Sequence, residues 1–149
     1  MADSSQEQLV LHLTDMHALE MQSIKQLERA SELAGDEQLQ QLYEEHLEET
    51  QEHERLVRER IEAYDHEPSP IKDLTMRSGA IGLRQLADIP PDTPVKLAMH
   101  FYALENLEVA AYELLARIAR ESGDDQTAGD SEHTDDARSE SEAAHAARS

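Results

Sequence analysis

Glu49, Glu52 and His53 lie within five residues of one another in the stretch EHLEETQEHERL, residues 45–56. Glu105 and Glu108 stand three apart in YALENLEV, and Glu20 sits alone in MHALEMQSI. Carboxylate oxygen and imidazole nitrogen together suit iron or manganese. The four-residue step from Glu49 to His53 and the three-residue step from Glu105 to Glu108 put each pair on one side of a helix. Glu52 falls off the strict apolar face, where a solvated carboxylate is the plainer reading.

These residues need three helices to carry them. Over residues 5–34, Leu9, Leu13, Met16, Glu20, Ile24 and Leu27 recur at three- and four-residue steps, which predicts an amphipathic helix ended by Gly35. Asp36 has the character of an N-cap for a second helix over 37–64. Its face reads Leu39, Leu42, His46, Glu49, Thr50, His53, Val57, Ile61 and Tyr64. A turn this short between two long helices makes an antiparallel hairpin. Pro68 and Pro70 break the pattern, and residues 65–94 read as a long crossover with one or two short helices. Pro94 suits the first turn of a third helix running to Ser122, where Gly123 stops it. Its face is Leu97, Phe101, Leu104, Glu105, Glu108, Ala111, Tyr112, Leu115 and Ile118. Residues 124–149 hold no Leu, Ile, Val, Met or aromatic side chain, and are expected to form a mobile acidic tail. The chain therefore divides into a helical domain, 1–123, and that tail, an all-α class.

Glu20, Glu49 with His53, and Glu105 with Glu108 each fall near the middle of a long helix, so they could meet in one layer of the bundle. A single mid-helix Glu is more often at the edge of the apolar face, and a lone His53 is more often a hydrogen-bonded interface residue. His17 and His46 read as surface groups, Tyr102 and Tyr112 as packing residues, and His100 has no readable role. Several buried carboxylates in one layer would repel, at several kcal/mol per unpaired ion, and a pair of divalent cations removes that conflict. Four-helix bundles hold di-iron and di-manganese sites with inward glutamates and Glu-x-x-His pairs.

Across residues 8–128, the stretches LTDMHALEMQSIKQL, EEHLEETQEHERLVRERIEAY and YALENLEVAAYELLARIA resemble the ferritin-like family of unknown function named after the YciE and YciF stress proteins. Its members share a glutamate in helix one, an HLEET run in helix two, and Glu-x-x-Glu followed by tyrosine in helix three. Here those positions are Glu20, His46 to Thr50, and Glu105, Glu108 and Tyr112. The run from Glu49 to His53 is also similar to a ligand run of rubrerythrins. The resemblance implies a ferritin-like up-down bundle with a long crossover, a site for two iron or manganese ions, and an association with oxidative or general stress. The expected ligands are Glu20, Glu49, Glu52, His53, Glu105 and Glu108. One departure stands out. The family's fourth helix carries leucines and an acidic run, whereas this chain keeps the acids Glu132, Asp135 and Asp136 and lacks the leucines. An apolar edge left open on helices one to three would favour a homodimer.

The 149 residues carry 33 acidic and 13 basic side chains, a net charge of −20, and no cysteine. Phosphate polymers and anionic membranes would be repelled, so nucleic acid and membrane are not expected partners. With no signal-peptide pattern and no long apolar run, a cytoplasmic location is expected. Ser-His-Asp order, G-x-S-x-G, H-E-x-x-H and a glycine-rich phosphate loop are all absent, so any catalysis would belong to a metal. The competing reading is a metal-free helical module that serves interaction or dimerisation.

Overall fold

The computed structural model describes residues 2–64 and 93–146. They form four helices: α1 Ala2–Leu33, α2 Glu37–Tyr64, α3 Pro94–Ser122 and α4 Asp125–Ala146. None of these is long and apolar enough to cross a membrane. The expected crossover helices within 65–94 lie almost wholly outside the described residues.

The helix ends follow from side-chain chemistry at the caps. Asp36 Oδ1 accepts the Leu39 amide at 2.8 Å and starts α2. Thr93 sits in an extended conformation and its side chain accepts the Lys96 amide, with Pro94 in the first turn of α3. Gly123 ends α3 at φ 77°, a left-handed conformation that a Cβ would strain, and its amide reaches back to the Ala119 and Arg120 carbonyls.

Cross-helix pairs define the topology. His17 meets Glu54 and Ser31 meets Glu44, so α1 and α2 run antiparallel. Ser122 reaches Ser5, and Gln26 reaches His100, so α3 is also antiparallel to α1. α2 and α3 are parallel, with Tyr43 stacked on Phe101 at one end and Tyr64 donating to Asp124, just past α3, at the other. The chain leaves α2 at one end of the bundle and enters α3 at the other. The apolar core gathers Leu9, Leu13, Met16, Val57, Tyr112 and Leu115 around the end where α3 turns into α4.

The C-terminal segment corrects the sequence expectation. Instead of a mobile tail, the chain forms α4 and buries Thr127, Ala128, Ser131 and Thr134. The physical reason is a face of small residues rather than leucines. Ser131 Oγ donates to the Thr127 carbonyl at 2.7 Å and Thr134 Oγ1 to the Asp130 carbonyl at 3.0 Å. Their hydroxyls thus enter the interior already hydrogen-bonded, beside Ala116 and Ala119, which are also buried. Of the acids noted there, Glu132 pairs with Arg120 at the surface, and Asp136 is exposed.

Asp124 ties this corner together. Its Oδ1 accepts the Thr127 amide at 2.9 Å, capping α4. Its Oδ2 accepts from Thr127 Oγ1 at 2.5 Å, Tyr64 Oη at 2.5 Å and Arg60 at 2.8 Å. Burial acts to raise the Asp124 pKa, but these donors outweigh it and hold the carboxyl well below the usual carboxylate range. Burial and the Asp124 charge together push the Tyr64 phenol up to about 12.

A group with a depressed folded pKa stabilises the fold above its unfolded value and loses that effect as pH falls through the folded one. Asp124→Asn is therefore expected to cost about 2–3 kcal/mol at neutral pH in urea denaturation, the scale of charge-assisted hydrogen bonds. The gap from wild type should narrow only below the ordinary value of 3.8. A chain ended at Gly123 is expected to lose its cooperative thermal transition, because the small-residue face of α4 and the Asp124 ties go together. A melt like that of the full chain would restore the tail reading.

Candidate functional site

Away from the α3–α4 turn, buried polar groups join Leu27, Leu97 and Leu104 in the interior. Along one side of α1, Glu20, Ser23 and Gln26 are buried at three-residue steps; Thr50 of α2 and His100 and Glu108 of α3 are buried too. Glu20 and Glu108 are both 0% exposed. Tyr112 Oη donates to Glu20 Oε1 at 2.6 Å, and Ser23 Oγ donates to Glu108 Oε1. Each buried carboxylate thus takes a hydroxyl from the opposite helix, and neither hydroxyl carries a positive charge. His53 stands edge-on to the Tyr112 ring, with centroids 6.4 Å apart and planes at 72°.

One turn nearer the Thr93 end, His46 bridges α2 and α3. Its Nε2 lies 3.0 Å from Glu105 Oε1 and its Nδ1 3.4 Å from Glu49 Oε2. Deeper still, Gln26 Nε2 and His100 Nδ1 are 3.4 Å apart.

The structure thus brings Glu20, His53 and Glu108 to one layer, and leaves Glu105 at its margin, partly buried against His46. It does not bring in Glu49 and Glu52. Their side chains are 57% and 55% exposed. Glu52 makes two hydrogen bonds to the Arg55 guanidinium, and that pairing first of all holds its carboxyl below the ordinary range. The side chain of α2 that turns inward between them is Thr50, whose hydroxyl bonds to the His46 carbonyl at 2.9 Å. Among the described residues, no group of three or more acidic and histidine side chains is arranged to hold a metal ion.

Four participants differ from the sequence expectation. The sequence places His46 at the surface, although it continues the Leu39–Leu42 side of α2. Ser23 and Gln26 follow Glu20 at three-residue steps, a signal that was present and polar. Tyr112 was read as packing, and it does pack, but its hydroxyl also serves Glu20. Tyr102, by contrast, is exposed.

The family model described as Domain of unknown function (DUF892) matches residues 4–145, a span that includes α4. Among solved structures, a protein from Xanthomonas campestris pv. campestris is 26% identical with a TM-score of 0.71, the match covering 93% of this chain and 85% of that one. The Escherichia coli stress protein YciF is 18% identical with a TM-score of 0.65, covering 92% of this chain and 89% of its own. YcfI from Rhodopseudomonas palustris is 23% identical, also with a TM-score of 0.65 and the same two coverages.

Removing a hydroxyl from the carboxylate layer leaves a buried acceptor with one donor fewer, at about 1–3 kcal/mol. Tyr112→Phe and Ser23→Ala are expected to lower urea stability on that scale. Glu52→Gln should change it by less than about 0.5 kcal/mol, since exposed ion pairs contribute little. Equal effects from all three would remove the distinction between layer and surface.

Proposed function

The chain belongs to the family described as Domain of unknown function (DUF892), and from that membership we propose that it is a metal-carboxylate bundle protein of the stress-response type, with Glu20 and Glu108 as its central ligands. The observation that carries the reading is the pair of fully buried carboxylates on α1 and α3, each held by a neutral hydroxyl. Burying two carboxylates in one layer has a large desolvation cost, and a divalent cation would offset it.

The parallel placement of α2 and α3 supports the reading, because ferritin-like bundles have this single long crossover. One fold neighbour, YciF, is itself described as a stress protein. The donor types suit iron or manganese. Glu20, Glu108 and His53 would hold the ions, with Glu105 adjacent. When bound, such metals supply one-electron chemistry toward oxygen or peroxide. In this protein the surrounding residues orient the ligands: Tyr112 fixes one oxygen of Glu20 and Ser23 one oxygen of Glu108.

The metal-free interaction module is a second reading, favoured by the apolar side chains that α3 exposes: Val95, Met99, Tyr102, Leu107 and Leu114. A ligand that binds only the folded chain stabilises it by mass action, about 2.7 kcal/mol at 100 times its Kd. For a chain of this size that is a rise of roughly 5–10 °C in Tm. Anaerobic Fe(II) or Mn(II) is expected to raise the melting temperature of the wild type on this scale, and Glu108→Gln to abolish the rise. No shift in the wild type, together with protein that carries no iron or manganese from supplemented cells, would leave the interaction module standing.

A further inference from the structure

α4 packs closely on α3 and touches α2 at few points. Along that α2–α4 seam lies a cavity of about 10 Å³, lined by all four helices and large enough for one water-sized guest. Its apolar wall is Leu13 of α1, Val57 of α2, and Tyr112 and Leu115 of α3, all buried. On α4 the wall is Ser131 and Thr134. Each of these hydroxyls gives its proton to a carbonyl one turn back, so what it offers the cavity is a lone pair. Arg60 also lines the space, and Thr127 and Asp124 hold its guanidinium in place.

The cavity adjoins the carboxylate layer. On α1 the inward positions after Leu13 are Met16 and Glu20, so Glu20 is about 10 Å further along the helix. On α3, Tyr112 is itself part of the wall, and its hydroxyl donates to Glu20 at 2.6 Å. A guest moving inward from the cavity passes Tyr112 and Met16 before it reaches Glu20.

We propose that this cavity is the entry port by which hydrogen peroxide reaches the Glu20–Tyr112 pair, and that its size turns away alkyl hydroperoxides. Three features select that guest. The space admits a molecule about as wide as water and leaves no room for a hydrocarbon group. The lone pairs of Ser131 and Thr134 accept from O–H donors, which peroxide has and dioxygen lacks. Peroxide is uncharged, so the net charge of −20 does not oppose its approach, as it would that of superoxide. What peroxide does at the carboxylates rests on the metal reading of the site. Its passage does not, and the two are tested apart.

Met16 reports the passage in full-length protein stripped of metal by a chelator. It is 1% exposed, against 64% for Met99. Its thioether takes one oxygen from a hydroperoxide to give the sulfoxide, leaving water from hydrogen peroxide or the alcohol from an alkyl hydroperoxide. Peptide mass spectrometry reads both methionines in one sample, so Met99 corrects for the intrinsic reactivity of each oxidant. The Met16-to-Met99 rate ratio is expected to be at least about 10-fold higher with hydrogen peroxide than with tert-butyl hydroperoxide, which reaches Met16 only when the fold opens. Ser131→Leu fills the cavity and is expected to lower the hydrogen peroxide ratio about 10-fold, with Met99 unchanged. A circular dichroism melt checks that this variant folds, and the wild-type comparison of the two oxidants decides alone where it does not. Equal ratios for the two oxidants in the wild type overturn the proposal, as does an undiminished ratio in a folded Ser131→Leu chain. Iron and manganese uptake are measured separately. A chain that binds neither metal but passes the methionine test keeps the port and loses the metal reading; one that binds metal but fails the test loses the port alone.

Discussion

Two hydrogen bonds set the register of the bundle. Glu20 on α1 takes its hydroxyl from Tyr112 on α3, and Glu108 on α3 takes its hydroxyl from Ser23 on α1. The exchange is reciprocal, so sliding either helix along the other breaks both bonds. A slip of one turn, about 5.4 Å, would set Glu20 against Ala116 and Glu108 against Leu27 in one direction, and the two carboxylates against each other in the opposite one. Apolar packing alone specifies register weakly, because Leu9, Leu13 and Leu115 could interdigitate in more than one way. A buried polar pair specifies it strongly, since an unmet carboxylate costs more than a misplaced methyl group.

That constraint explains how the core is divided. The α3–α4 end packs Leu9, Leu13, Leu115, Met16 and Val57, together with the Asp124 ties to Tyr64, Arg60 and Thr127. The Thr93 end buries Leu27, Leu97 and Leu104 as well, but sets them among the carboxylates, His46, Gln26 and His100. That second half carries groups that packing alone would not select.

Most of the scaffold was legible in the sequence, and the reasons are local. Asp36, Pro94 and Gly123 are caps whose side chains or backbone freedom act within four residues, so their roles could be read directly. The three-and-four spacing of α1 and α3 put Glu20 and Glu108 on the inner face correctly. α2 was harder. Glu49 and Thr50 are adjacent, about 100° apart around the helix, and periodicity admits both at the edge of one face. The inner series runs His46, Thr50, His53 and Val57, which leaves Glu49 on the flank and gives the interior to a small hydroxyl. α4 was illegible for another reason. Hydropathy registers Ser, Thr and Ala as solvent-tolerant, yet a hydroxyl bonded to its own helix is no longer a polar group seeking water.

The same local logic shapes α4. Its first three turns are fixed by the Asp124 cap and the buried face from Thr127 to Thr134. Ala128 joins Leu9, Leu13, Tyr112 and Ala119 in one apolar cluster. The inward hydroxyls of Ser131 and Thr134 bond to carbonyls of their own helix, so they enter the interior without needing a partner across the interface. Tyr112 belongs to that cluster and also donates to Glu20. The packing of α4 against α3 therefore bears on the side chain that holds the buried carboxylate of α1.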